Sequence, residues 1–255
     1  MKRNNWKKTL IVVLMMLVCL ETLSGEALAD QTQGIWHKSG STVTVATPYG
    51  SRTYHLYNQL KCKGRDKYYY RSYGCVTTGV SIAASGFGVK AEPWAIHMGK
   101  SSSKKSERYA LKQLKVKRKR RQAISLRLAS QILTNMGIPN RRVTSFTTAA
   151  AEEEIRAHLL QGKPVIVKVK RGKHHGVKFT NHHHTLVLVG IVGDYVAFIN
   201  PITGNMNSAR SGKIKKGINL TLHELVKDFM YSSYKGTGGA YVTSVKIGGG
   251  YILVG

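Results

Sequence analysis

Two periods govern the apolar positions of this chain. Up to about residue 160 they recur at helical spacing, and from residue 164 onward they crowd into short runs of strand length. Val76 to Ser85 predicts a short helix, stopped by Gly86 and Gly88, and Glu92 to Met98 adds a helical turn. Leu126, Ala129, Leu133 and Met136 fall three and four apart and predict a helix over 126–136, with Gly137 and Pro139 as stop signals. A further helix is expected over Thr148 to Leu160, with Ile155, Leu159 and Leu160 as its apolar stripe. Glu152, Glu153 and Glu154 are read as lying near its positive end, Gly162 closes it, and Pro164 prevents extension.

After Pro164 the pattern predicts strands. "PVIVKVK" (164–170) is one. "HTLVLVGIV" (184–192), nearly all apolar, is expected at the centre of a sheet, and "YVAFIN" (195–200) follows across a Gly193-Asp194 hairpin turn. The polar stretch from Arg171 onward, "RGKHHGVKFTN", has no apolar period and reads as a turn. Thr221 with Glu224 forms a capping-box pattern that opens a helix over 221–229, and "AYVTSVKI" and "YILVG" read as closing strands. Helices first and an antiparallel sheet afterwards make an α+β arrangement, without internal repeats.

The ends and the charge add to this picture. Lys2, Arg3, Lys7 and Lys8 precede an apolar run, Thr9 to Leu20, and Ala27-Leu28-Ala29 precedes Asp30; residues 1–29 read as a signal peptide. An uncleaved anchor is the alternative, although the run falls short of the roughly 20 residues of a membrane span. No later segment is long and apolar enough to cross a bilayer. A chain starting at Asp30 has 226 residues, and loss of four basic and two acidic residues leaves 36 Lys+Arg against 10 Asp+Glu, a net charge of +26. Such a charge favours polyanions, and for an exported protein the cell envelope is the nearest one. Lys115, Lys117, Arg118, Lys119, Arg120 and Arg121 mark the docking segment expected for anionic envelope polymers; a solvated basic loop is the plainer reading. Nothing resembles a base-reading module, so no specific nucleic-acid partner is expected. Residues 30–53 are polar and rich in Thr, Ser and Gly. They read as an N-terminal arm or pro-segment in which "STVTVATPYG" forms a short strand, before a Tyr-rich loop over 54–74.

Candidate chemistry centres on Cys75. Gly74 before it allows a tight turn, and the helix after it lowers the thiol pKa through its dipole. A disulfide with Cys62, 13 residues upstream, or an inert buried thiol are the alternatives. His184, at the head of a strand, is the candidate base. Strand alternation places His182 with it and His183 on the other face. A hairpin about Gly193-Asp194 would return Asn200 to His184, where its amide could orient the imidazole; as a lone Asn-Pro it reads as a turn starter. Gln59 and the Cys75 backbone N–H are candidate oxyanion donors, though an upstream Gln is commonly a surface residue. His174, His175, His182, His183 and His184 could instead hold a metal, but adjacent histidines on a strand do not converge, so neither a metal nor another cofactor is expected.

Together, "YGCVTTGVSIAAS", "AEEEIRAHLLQGKPVIVKV" and "HHTLVLVGIVGDYVAFINPITG" resemble the stand-alone, secreted relatives of the bacteriocin-processing (double-glycine leader) cysteine peptidases, which are papain-like. The resemblance runs from about Tyr54 to Gly204 and weakens toward the end. It implies a papain-like domain over 54–255, with a nucleophile helix packed on an antiparallel sheet. Carried over by position, Cys75 is the nucleophile, His184 the base, Asn200 the orienting residue and Gln59 the oxyanion donor. Val76-Thr77 stands where the family commonly has Gly-Pro, and Asn200 where it commonly has aspartate. The expected function is an exported cysteine peptidase or transpeptidase working through a thioester acyl-enzyme. An inactive envelope-binding protein of the same fold and a peptidoglycan amidase or endopeptidase are the rivals.

Overall fold

The computed structural model describes residues 31–61, 71, 73–98, 124–170, 172–174, 177–180, 183–208, 217–231 and 249–255. Residues 1–29, Cys62, the basic segment 115–121 and "AYVTSVKI" lie outside the described residues. Among the described residues no helix is long and apolar enough to cross a membrane.

Three strands come first: β1 (Trp36–Ser39), β2 (Thr42–Thr47) and β3 (Gly50–His55), joined in an antiparallel sheet in that order. Helix α1 spans Cys75–Ser85, α2 Pro93–Met98 and α3 Leu126–Asn135; β4 spans Asn140–Val143 and α4 Thr148–Leu160. The strands β5 (Val165–Val169), β6 (Gly172–His174), β7 (Val177–Thr180), β8 (His184–Val192), β9 (Tyr195–Asn200) and β10 (Asn205–Met206) follow. A short α5 (Leu222–Glu224) runs into a π-helical turn, Leu225–Phe229, and β11 (Tyr251–Val254) ends the chain. The main sheet has six strands in the order β10-β9-β8-β5-β11-β4, every pair antiparallel. Mixed helices and antiparallel sheet make this an α+β structure, as the two periods predict.

The sheet separates two apolar clusters. On one face Ile166, Val187, Val189, Ala197, Ile199, Ile252 and Val254 meet α1, α3 and the buried side of β2. On the other, Val165, Val167, Leu186, Leu188, Phe198, Tyr251 and Leu253 meet α4 and the π-turn. Alternate residues of one strand therefore feed different clusters, so β5 and β8 have to be apolar almost throughout. Gly79 lets α1 approach closely: a β-carbon there would meet the Thr185 and Val187 methyls at 3.2 and 3.4 Å. Cys75, one turn earlier on the same helix face, is thereby carried to the end of β8.

The first strands are integral to this body. Val43 and Val45 belong to the α1-side cluster. Arg52 of β3 donates to the Gly86 carbonyl at 2.8 Å and the Gly162 carbonyl at 2.9 Å, tying together the ends of α1 and α4. The arm boundary read between residues 53 and 54 falls inside β3.

Several local readings are corrected. Gly74 has φ −86°, which any residue adopts, so its conformational freedom is not used. Glu152–Glu154 sit beyond the first turn of α4, whose start is capped by the Thr147 hydroxyl. Their partners are side chains instead: Glu152 accepts from His223, and Glu154 pairs with Arg141 and accepts from the Tyr251 hydroxyl. Leu160 points outward and the buried stripe is Ala151, Ile155 and Leu159. The stretch after Arg171 forms the ribbon β6–β7 rather than a simple turn. The polar edge strand β4 was not legible because its partner, β11, lies at the far end of the chain.

Candidate active site

Cys75 is the first residue of α1 and is 9% exposed. No side chain caps this helix end. The Thr77 and Thr78 hydroxyls instead donate to the Gly74 carbonyl at 2.9 and 2.8 Å. Thr77, in the position of the family's common proline, thus tightens the first turn. As the first helical residue, Cys75 has a backbone N–H without an intrahelical acceptor. The thiol is free, so no disulfide engages it.

The hairpin brings His184 and Asn200 together. The imidazole Nε2 lies 2.8 Å from Asn200 Oδ1, and both side chains are buried. The amide's orientation is decided by its other contacts: Nδ2 donates to the Ser208 carbonyl at 2.7 Å, and Oδ1 accepts from the Ile202 N–H at 3.0 Å. Oδ1 therefore faces the ring, Nε2 has to carry the proton it donates, and Nδ1 is left for the hydrogen bond between His184 and the thiol. His184 heads β8, so its backbone is pinned by the pairing of Val169 with His184. Of its histidine neighbours, His183 packs edge-on against the Tyr231 ring at 5.2 Å. His175 and His182 lie outside the described residues, as does the side chain of His174.

Burial by itself raises the Cys75 thiol. The His184 hydrogen bond and charge, the Lys168 charge and a hydrogen bond from Thr185 outweigh it and bring the thiol down to about 7 from its ordinary 9.0. The Thr185 hydroxyl donates to Sγ at 3.7 Å. Near neutrality a substantial fraction of the sulfur is therefore thiolate, the nucleophilic form.

Gln59 is 2% exposed, which corrects the surface reading of it. It lies in a 3₁₀ turn, Gln59–Lys61. Its backbone N–H donates to the Pro201 carbonyl at 2.9 Å and its side-chain amide to the Arg71 carbonyl at 2.6 Å. It thus links the segment after Asn200 to the segment that leads into Cys75.

Three neighbours of the thiol were missed from sequence. Thr185 follows His184 directly. Lys168 interrupts the apolar run "PVIVKVK", and a charge inside a buried strand was the available signal. Tyr231 comes from beyond the π-turn; its phenol is raised by burial and then by the nearby Cys75 charge, and nothing local marked it.

No curated protein matches the chain. A family model does, over residues 51–217, the stretch that holds Gln59, Cys75, His184 and Asn200. The chain accordingly belongs to the Peptidase_C39 like family, a papain-like cysteine-peptidase family.

Proposed function

We propose that the protein is an exported cysteine peptidase in which Cys75 is the nucleophile. The observation that carries this reading is the relay from Asn200 through His184 to Cys75. The amide has only one orientation, the imidazole consequently one tautomer, and the thiol a lowered pKa.

In the reaction, the Cys75 thiolate attacks a peptide carbonyl. Negative charge develops on the carbonyl oxygen, where the Cys75 N–H and a Gln59 amide N–H are the proposed donors. The bond to nitrogen breaks as His184 gives its proton to the leaving amine, and a thioester to Cys75 remains. Water, deprotonated by His184, then releases the acid and frees the thiol; an amine in place of water makes the same site a transpeptidase. Asn200 holds the ring through both steps.

Cleavage before Asp30 and docking through 115–121 on anionic envelope polymers complete the proposal. A thiol-reactive peptide probe on the full chain tests it. Labelling at Cys75 that falls sharply in His184→Ala supports the reading. Labelling unchanged in that variant, or a Cys62–Cys75 disulfide mapped in the active protein, would sink it. No labelling together with retained binding to teichoic acid would replace the peptidase with an envelope-binding protein.

A further inference from the structure

Lys168 is 4% exposed, although lysine is almost never buried without a partner. Among the described residues it forms no salt bridge with a carboxylate. Its place in the sheet explains where it points. Lys168 is opposite Thr185 in the β5–β8 register. Ile166 and Val187, the adjoining pair-mates on that face, both lie within contact range of Gly79 on α1. Thr185 in turn reaches the Cys75 sulfur. The lysine stem therefore rises from the sheet on the face covered by α1, beside the thiol.

Helix α1 carries no ionisable group besides Cys75. Strand β8 offers His184, and the chain beyond the π-turn offers Tyr231, whose pKa lies far above neutral. Tyr251 of β11 belongs to the opposite cluster. On the line of β5, Lys170 is half-buried on the same side and adds a like charge. Among the described residues no carboxylate pairs with Lys168.

We propose that Lys168 is a dedicated counter-ion for the Cys75 thiolate, a positioning residue that keeps the sulfur charged without depending on the imidazolium alone. The inference rests on the reading of Cys75 as the nucleophile and deepens it. The ammonium, carried by β5 on the face where the sulfur lies, stabilises the thiolate by a charge that no proton transfer to or from the His184 ring removes. Its influence on the thiol is in the expected direction.

The test is the pH dependence of iodoacetamide alkylation of Cys75 in the full chain, with peptide cleavage scored in parallel. Lys168→Met should raise the alkylation midpoint by about one pH unit and slow the reaction at pH 6 by about tenfold. Lys168→Arg, which keeps the charge, should stay close to wild type. Lys168→Gln gives an independent reading should the methionine variant fail to fold: its midpoint should rise in the same way. A midpoint unmoved in the neutral variants, or raised as far in Lys168→Arg, overturns the inference. Cleavage with an unmoved midpoint removes the counter-ion and leaves the peptidase; a Lys168-dependent midpoint with no cleavage of any peptide removes the peptidase and leaves the counter-ion.

Discussion

Helices α1 and α4 press on opposite faces of one sheet, yet they are built on opposite terms. Every residue of α1 from Cys75 to Ser85 is buried, whereas α4 buries only Ala151, Ile155 and Leu159 and leaves the rest half-buried or exposed. On α4 polar groups meet side chains of neighbouring elements at the surface: Arg156 pairs with Asp194 of the hairpin turn and Glu152 with His223 of α5. On α1 most of them are satisfied inside, and Ser81 Oγ is buried with no partner among the described residues. Thr77 and Thr78 return their hydrogen bonds to Gly74, and Ser85 to Ile82. An ionised sulfur in such a place needs opposite charge and donors built around it, because removing a charge from water without a partner is far costlier than burying a methyl. The proposed nucleophile sits on the helix that lacks a wet face, and surface charge pairs sit on the helix that has one.

Breaking the α1 side should give the largest effect. His184→Ala is expected to lower kcat for peptide cleavage by about 10²–10⁴-fold with a near-native melting temperature, because base and proton donor are lost together. Asn200→Asp offers the sharper version. The carboxylate can still accept from Nε2 and is the residue common in the family, so this variant should keep most activity where Asn200→Ala does not. Equal losses in the two would show that burial of the amide, rather than acceptance from the ring, is what counts.

Breaking the α4 side should cost stability and leave the thiol alone. Ile155 is fully buried against the sheet, and Ile155→Ala should lower unfolding free energy by about 2–5 kcal/mol in urea titration. The alkylation midpoint of Cys75 should not move, and a shift would mean that the two faces are coupled through the sheet.

A smaller effect comes from linkage. The folded Cys75 thiol titrates below its unfolded value, so its contribution is full above about pH 9 and is lost as pH falls through about 7. The stability difference between wild type and Cys75→Ser should therefore grow by about 2 kcal/mol between pH 6.5 and 9. A difference that is flat or shrinks with pH would contradict the lowered thiol pKa. Least of all is expected from Leu160→Ser. This side chain is 43% exposed, and the change should stay within about 0.5 kcal/mol.

Local pattern was enough wherever a single segment carried its own signal. The helices over 76–85, 126–136 and 148–160, the central strand 184–192, the hairpin about Gly193-Asp194 and the Thr221 capping box are each encoded within a dozen residues, and each forms where the pattern placed it. The proximity of Asn200 to His184 was legible for the same reason, since a two-residue turn returns one strand along the other. Pairings and burial that depend on distant segments were not legible. They include the edge strand β4 against β11, the packing of β2 on Gly190, the burial of Gln59, and the convergence of Lys168, Thr185 and Tyr231 on one sulfur. A sequence states which residues repeat at 2 or at 3.6. Only the folded sheet decides which of its two faces receives a buried charge, because that choice is made by the elements that cover the face.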